Sequence, residues 1–181
     1  SADWTLNTAN AWAAATLADL GARMVWASPE LSSSRLKALA GASPVPVGAL
    51  VFGRLELMVA EHCVLRAIGS CDQRCDRCAR RAGRWVLRDQ KSYEFPVTTD
   101  RSGRAHIANS VTLDLTRALD EVLAAGVSAV RIEITNEPVD EVERIVRAIV
   151  GAVNAVEAGL PAPEYPVVSP ATSGHFFRGV R

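Results

Sequence analysis

Residues Val47 to Phe52 (VGALVF) carry no charged and no hydrogen-bonding side chain. A run this short is too brief for a membrane span. Its β-branched and aromatic content, with Pro44 and Pro46 just before it, reads as a strand buried on both faces. Such a strand needs helices above and below it, and the neighbouring sequence supplies them. Asn10 to Leu20 is an Ala-rich helix pattern closed by Gly21. Arg23 to Ala27 is a strand pattern. Ser32 to Ala40 is a second helix, with Pro29 and serines before it to start it. Trp4 to Asn7 reads as a short extended start. The expectation is an α/β fold with a parallel sheet.

The alternation resumes late in the chain. Leu113 to Ala125 is expected to be an amphipathic helix, with Leu115, Leu119, Val122 and Leu123 on one face and Gly126 as its stop. Val130 to Ile134 is a strand pattern. Val139 to Val156 is a helix whose first turn holds Asp140, Glu141 and Glu143, where the helix dipole favours acids. Pro161, Pro163, Pro166 and Pro170 predict an extended tail, and Phe176 and Phe177 within it predict docking on the body. This makes about four parallel βα units. A closed (β/α)₈ barrel needs roughly 250 residues, so the expected fold class is a partial TIM-type barrel. The start at Ser1-Ala2 fits a piece of a longer chain.

Residues 55–110 interrupt the pattern. All four cysteines fall here, as Cys63-x7-Cys71-x3-Cys75-x2-Cys78. Trp85 to Asp89 and Phe95 to Thr99 read as antiparallel strands, Asp100-Arg101-Ser102-Gly103 as a turn, and Ala105 to Ser110 as a return. The expected organisation is βα units over 1–54, a Cys-rich knuckle with a small β-hairpin over 55–110, helix–strand–helix over 111–160, and a docking tail over 161–181.

Four clustered thiols without a visible secretory signal predict a metal site in a reducing, cytoplasmic setting rather than disulfides. Four thiolates are the donor set of a structural Zn²⁺ and also of an iron–sulfur cluster. Gly69 and Ser70 give the segment the flexibility to gather its ligands. Arg66, Arg74, Arg77, Arg80, Arg81 and Arg84 surround the thiols, and positive charge favours thiolate. His62 is a possible further ligand or packing residue, and His106 reads as structural.

Charge is uneven although the totals are equal, 20 basic and 20 acidic residues. Residues 62–104 hold ten basic and five acidic residues, whereas 105–181 hold six and ten. A basic knuckle with Trp85 and Tyr93 has the composition of a nucleic-acid contact, and also of a solvated surface. The chemistry of a parallel α/β fold sits at the carboxyl ends of its strands. Those ends hold Asn7, Ser28 and Glu30, Gly53 and Arg54, and Glu133 and Thr135.

The order of several segments resembles a known family. They are Asp3-Trp4-x-Leu6-Asn7, Ala27-Ser28-Pro29-Glu30-Leu31, and Gly53-Arg54-Leu55-Glu56-Leu57-Met58 with Glu61-His62-Cys63. Then come Leu87-Arg88-Asp89-Gln90-Lys91-x-x-Glu94-Phe95-Pro96-Val97, Ile107-x-Asn109-Ser110-x-x-Leu113-x-Leu115, Arg131-Ile132-Glu133 and Thr172-Ser173-Gly174-His175-Phe176. Together they resemble the collagenase-like peptidase family U32, with Gln90 at a position usually held by Arg.

The resemblance implies a half-barrel completed by an N-terminal half. It also implies oxygen-independent hydroxylases of RNA bases or of the quinone ring, with a four-iron four-sulfur cluster. On that reading Cys63, Cys71, Cys75 and Cys78 hold the metal. Glu30, Arg54, Arg131 and Glu133 form the catalytic strand-end site, its arginines taking an anionic group. Asn7, Asp89, Lys91 and His175 contact substrate, with His175 closing over the site. The partners implied are the missing half or a second copy, and RNA; none is a membrane. A zinc-stapled interaction or RNA-binding module is the alternative. The peptidase activity of the family's name lacks both a Gly-x-Ser-x-Gly elbow and a His-Glu-x-x-His helix here.

Overall fold

The computed structural model describes residues 1–161, 163 and 170–179. In chain order the elements are α1 (Ala11–Asp19), β1 (Val25–Trp26), α2 (Ser33–Ala42), β2 (Val47–Gly53), β3 (Glu56–Ala60), β4 (Trp85–Arg88), β5 (Glu94–Thr99), β6 (Ala105–Ala108), β7 (Thr112–Asp114), α3 (Leu119–Ala124), β8 (Ala129–Ile132), α4 (Val139–Glu157) and β9 (Ala171–Thr172). The chain divides into two compact units. One joins Ser1–Gly53 to Leu113–Arg181, and the other is Arg54–Thr112.

The first unit is built on β2, all seven of whose residues are buried. Removing Val, Leu or Phe side chains from water contributes about 1.5–3 kcal/mol each, so Val47, Leu50, Val51 and Phe52 anchor this unit. β2 pairs in parallel with β1 and β8, and its last two residues pair antiparallel with β7, which adjoins β9. The result is a mixed α/β fold with a parallel-strand sheet that forms no closed barrel among the described residues.

The caps follow from the sequence. Asn10 Oδ1 accepts the Ala13 N–H at 2.9 Å to start α1, and Ser32 Oγ accepts the Arg35 N–H at 3.4 Å to start α2. On α4, Ile145, Ile149 and Ala152 are buried. Glu143 and Arg147 pair on its exposed side, a contact worth little for stability. No described helix is long and apolar enough to cross a membrane.

Several expectations are revised. Trp4–Leu6 is a 3-10 turn, not a strand, because Asp3 Oδ1 accepts the Thr5 N–H and Asn7 turns left-handed at φ 53°. Ala2 and Thr8 on either side still form isolated parallel bridges to Val25 and Ala27. Among the described residues β1, β2 and β8 run parallel to one another, and the expected first strand is two single bridges. The stretch from Leu113 does not begin as a helix. Asp114 Oδ1 accepts from both the N–H and the hydroxyl of Thr116, which starts a 3-10 turn ahead of α3. Leu113 is buried on β7 instead. In the tail, Pro166 lies outside the described residues. Phe176 is 4% exposed and its carbonyl accepts the Ser33 N–H, whereas Phe177 faces solvent.

The second unit is a four-stranded antiparallel sheet in the order β3-β6-β5-β4, larger than the expected hairpin. The β4–β5 turn is closed by Asp89 Oδ1, which accepts the N–H groups of Lys91 and Tyr93. Asp100 closes the β5–β6 turn in the same way through the N–H groups of Ser102 and Arg104. Between β3 and β4 the chain makes three 3-10 turns, Val64–Ile68, Cys75–Arg77 and Ala79–Ala82, and no α-helix. This is the thiol-bearing knuckle.

Candidate functional site

The knuckle turns bring the four cysteines to one pocket. Cys63 precedes the first turn, Cys75 opens the second, and Cys78 lies between the second and third. Cys63, Cys71, Cys75 and Cys78 line the pocket together with Leu65, Thr99 and the side chains of Arg66, Arg74, Arg80 and Arg81. All four thiols are free. Gly103 explains how a sheet turn can lie against them. Its φ is +87°, and a Cβ there would stand 2.6 Å from Cys75 Sγ, so the glycine leaves the sulfur its room.

The donor chemistry suits a soft metal. Desolvation, then the neighbouring Cys63, Cys71 and Cys78 and the carboxylate of Asp76, push the Cys75 thiol above its ordinary value. The neighbouring sulfurs and the Asp76 carboxylate thus disfavour the Cys75 thiolate, and a bound cation would reverse that balance. Among the described residues, no three of His, Cys, Asp or Glu are gathered tightly enough to hold a single ion as the side chains lie. The thiols share a pocket without yet forming a coordination sphere.

The arginines around the thiols differ in role. Arg81 donates from Nε to Thr99 O at 3.0 Å and from its NH1 to Cys75 O at 3.3 Å and Asp76 O at 3.4 Å. Arg80 donates to Leu65 O at 3.5 Å, and its own carbonyl accepts the Trp85 indole N–H at 2.7 Å. These two hold the knuckle's shape. Arg74, Arg77 and Arg80 also line an adjoining open hollow of about 920 Å³, its mouth included.

In the first unit, the strand-end residues Arg131 and Glu133 form a cluster with the start of the chain. Arg131 donates to Asp3 Oδ2 and lies 3.6 Å from Glu133 Oε1. Its guanidinium also stands 5.8 Å from the centre of the Trp26 ring. The Trp4 indole N–H donates to Glu133 Oε2 at 2.9 Å. Burial raises the Asp3 carboxyl, but the Arg131 contact and the Thr5 N–H outweigh it and hold Asp3 below its ordinary value. One guanidinium thus faces two carboxylates, so an incoming anion would have to displace Asp3 or Glu133. Gly53 lets the Glu133 backbone pack closely against the end of β2. Its φ is +140°, and a Cβ would stand 2.5 Å from the Glu133 carbonyl oxygen.

The remaining predicted residues are placed as follows. Glu30 is exposed in the turn after β1, and its N–H donates to Ser28 Oγ. Asn7 is exposed at the left-handed end of its 3-10 turn. Arg54 belongs to the second unit and donates from its NH1 to Asn109 O and Ser110 O, while its Nε is buried without a partner. Asp89 uses its carboxylate to close a turn, and Lys91 is exposed beside it. His175 is exposed, its Nδ1 3.2 Å from Gly179 O. His106 stands 2.6 Å from Glu56 and 3.5 Å from Asp100 on the second unit's sheet.

Asp3, Trp4, Thr99 and Arg81 carry site geometry that the sequence reading did not assign to them. The sequence signal for the first two is their place in the Asp3-Trp4-x-Leu6-Asn7 segment of the family resemblance. Arg81 was one of six arginines, with nothing in the sequence to single it out. The model of peptidase family U32 matches residues 1–169. No curated protein and no solved structure matches the chain.

Proposed function

The chain belongs to peptidase family U32, and from that premise we propose that it is a metal-bearing part of an oxygen-independent hydroxylase acting on an RNA base or a quinone-like ring. The observation that carries this reading is the convergence of Cys63, Cys71, Cys75 and Cys78 on one pocket in a unit that buries little apolar surface.

Among its described residues, Arg54–Thr112 buries only Leu65, Pro96, Val97, Ala105 and Ala108 of its apolar side chains. A domain of about 60 residues is marginal on its core alone and is commonly held by a metal or disulfides. Metal binding by thiols that are not preassembled is itself folding free energy. The four cysteines would hold the metal, drawn inward by movement of the short 3-10 turns. An iron–sulfur cluster bound there would supply one-electron chemistry.

The chain's own groups have distinct parts in this reading. Arg81 fixes the Cys75 turn against the sheet, and Gly103 keeps the space beside that sulfur open. In the other unit, Glu133 and Arg131 are the strand-end pair offered to substrate, and Trp4 and Asp3 orient them. Asn7, Glu30 and His175 are the further residues proposed in the first unit, and Arg54, Asp89 and Lys91 those proposed in the second. A half-barrel completed by a further half, or by a second copy, is the architecture this reading implies.

Anaerobic purification with iron and sulfide assays and a visible spectrum tests the proposal. The expected outcome is a coloured protein with near-stoichiometric iron and acid-labile sulfide. A colourless, iron-free protein after anaerobic reconstitution overturns it.

The Arg74, Arg77 and Arg80 hollow favours one second reading, a zinc-stapled module that contacts RNA phosphates. It predicts stoichiometric zinc and RNA affinity that falls steeply with salt.

A further inference from the structure

Thr99 is the last residue of β5 and is 8% exposed. It pairs with Ala105 across the sheet, so its backbone is fixed there. Valine has the same shape and an equal liking for strands, so packing alone does not call for a hydroxyl here. A buried hydroxyl is costly unless it is hydrogen-bonded. The buried hydroxyls of Thr8 and Thr112 lack any partner. That of Thr99 has one, because its Oγ1 lies 3.8 Å from Cys63 Sγ.

The surroundings hold this contact in place. Arg81 grips the Thr99 carbonyl with Nε and the Cys75 carbonyl with its NH1. One guanidinium therefore links the strand that presents the hydroxyl to the turn that presents another thiol of the same pocket. Chemistry settles the direction of the Thr99–Cys63 bond in a metal-loaded centre. A metal-bound cysteine is a thiolate and has no proton to give. The threonine O–H is then the donor and the sulfur the acceptor.

We infer that Thr99 is a positioning residue of the four-thiol centre, orienting Cys63 and drawing charge from its sulfur through a hydroxyl that Arg81 holds in register. This deepens the metal-binding reading above and rests on it. Partners of metal ligands typically change metal affinity by 10- to 100-fold when removed. A hydrogen bond to a thiolate also lowers the energy of its lone pairs, which a charge-transfer spectrum reads directly.

The test uses the full chain, reduced and anaerobic, titrated with Co²⁺ against a competing chelator while the thiolate-to-cobalt absorption is followed. Thr99→Val keeps the shape and removes the donor, and Thr99→Ser keeps the donor. The expected result for Thr99→Val is a cobalt affinity about 10- to 100-fold weaker and a charge-transfer band moved to longer wavelength. Thr99→Ser is expected to restore the wild-type band position. Circular dichroism checks that each variant folds, and Thr99→Ala replaces valine in the comparison if valine does not fold. Wild-type affinity and band position in the variant lacking the hydroxyl overturn the inference, and so does a serine variant as defective as the valine one. A wild-type chain with no charge-transfer band overturns the metal reading itself, and the inference with it.

Discussion

The strand β2 and the knuckle between β3 and β4 show two ways of holding a chain together. Every residue of β2 is buried, and the helices and strands of its unit bury Leu36, Leu39, Leu119, Val122, Ile145 and Ile149 around it. The knuckle has three 3-10 turns, exposed arginines and one buried leucine, Leu65. Its order comes from polar contacts, chiefly the Arg81 grip on three carbonyls and the Trp85 bond to Arg80. Apolar burial is non-directional and needs no ligand. A net hydrogen bond contributes only about 0.5–1.5 kcal/mol. The first unit is therefore expected to be stable by itself, and the second to depend on what its thiols bind.

Breaking the thiol set should have the largest effect. Cys75→Ser is expected to abolish metal retention and to collapse amide-exchange protection across Arg54–Thr112, while β2 stays protected. Structural zinc supplies on the order of 10 kcal/mol in small peptides near neutral pH, so the loss should be near complete. Unchanged protection in the second unit would show that its sheet holds without the thiols. Leu50→Ala should act in the opposite region, because Leu50 is 4% exposed on the central strand. The expected cost is about 2–5 kcal/mol, read as a lower Tm and reduced protection of β2, with metal content unaltered. A fall in metal content as large as the fall in stability would erase the proposed independence of the two units.

The smallest effect concerns the acid limit of the second unit. The Asp100 carboxyl is held down at about 2, first by the Arg104 backbone N–H and, against desolvation, by the Arg104 side chain, His106 and the Ser102 N–H. Its ordinary value is 3.8, so the folded form binds its proton less tightly than the unfolded one. That stabilisation is complete above about 4 and is lost as pH falls from the ordinary value through about 2. Asp100→Asn should flatten the acid-unfolding slope of the β5–β6 turn in this window, followed by the amide signals of Ser102 and Arg104. An identical slope in the variant would remove Asp100 from the account.

Much of the first unit was legible because its signals are local. The apolar run at Val47, the Asn10 and Ser32 caps and the acidic first turn of α4 depend on neighbours a few residues apart. The hairpin from Trp85 to Thr99 and the turn at Asp100 were legible for the same reason. Strand β3 was not, because Glu56–Ala60 pairs with β6 nearly fifty residues later and carries no turn signal of its own. The apolar spacing from Leu113 onward continues the helix pattern, so the expected helix began at Leu113, which is in fact a strand residue. The Asp114 cap on Thr116 and the pairing of Gly53 with Leu113 decided for the strand.

The candidate sites divide along the same line. The sequence alone determined that four thiols lie within 16 residues among arginines, because ligand spacing in a short segment is a local property. It also determined the family, through ordered segments spread over most of the chain. Only the tertiary structure joined Trp4 to Glu133 and Asp3 to Arg131 across more than a hundred residues. It alone chose Arg81 among six arginines and set the Thr99 hydroxyl beside Cys63. These pairings depend on where a strand ends in space, which follows from sheet register and burial and leaves no periodic mark along the chain.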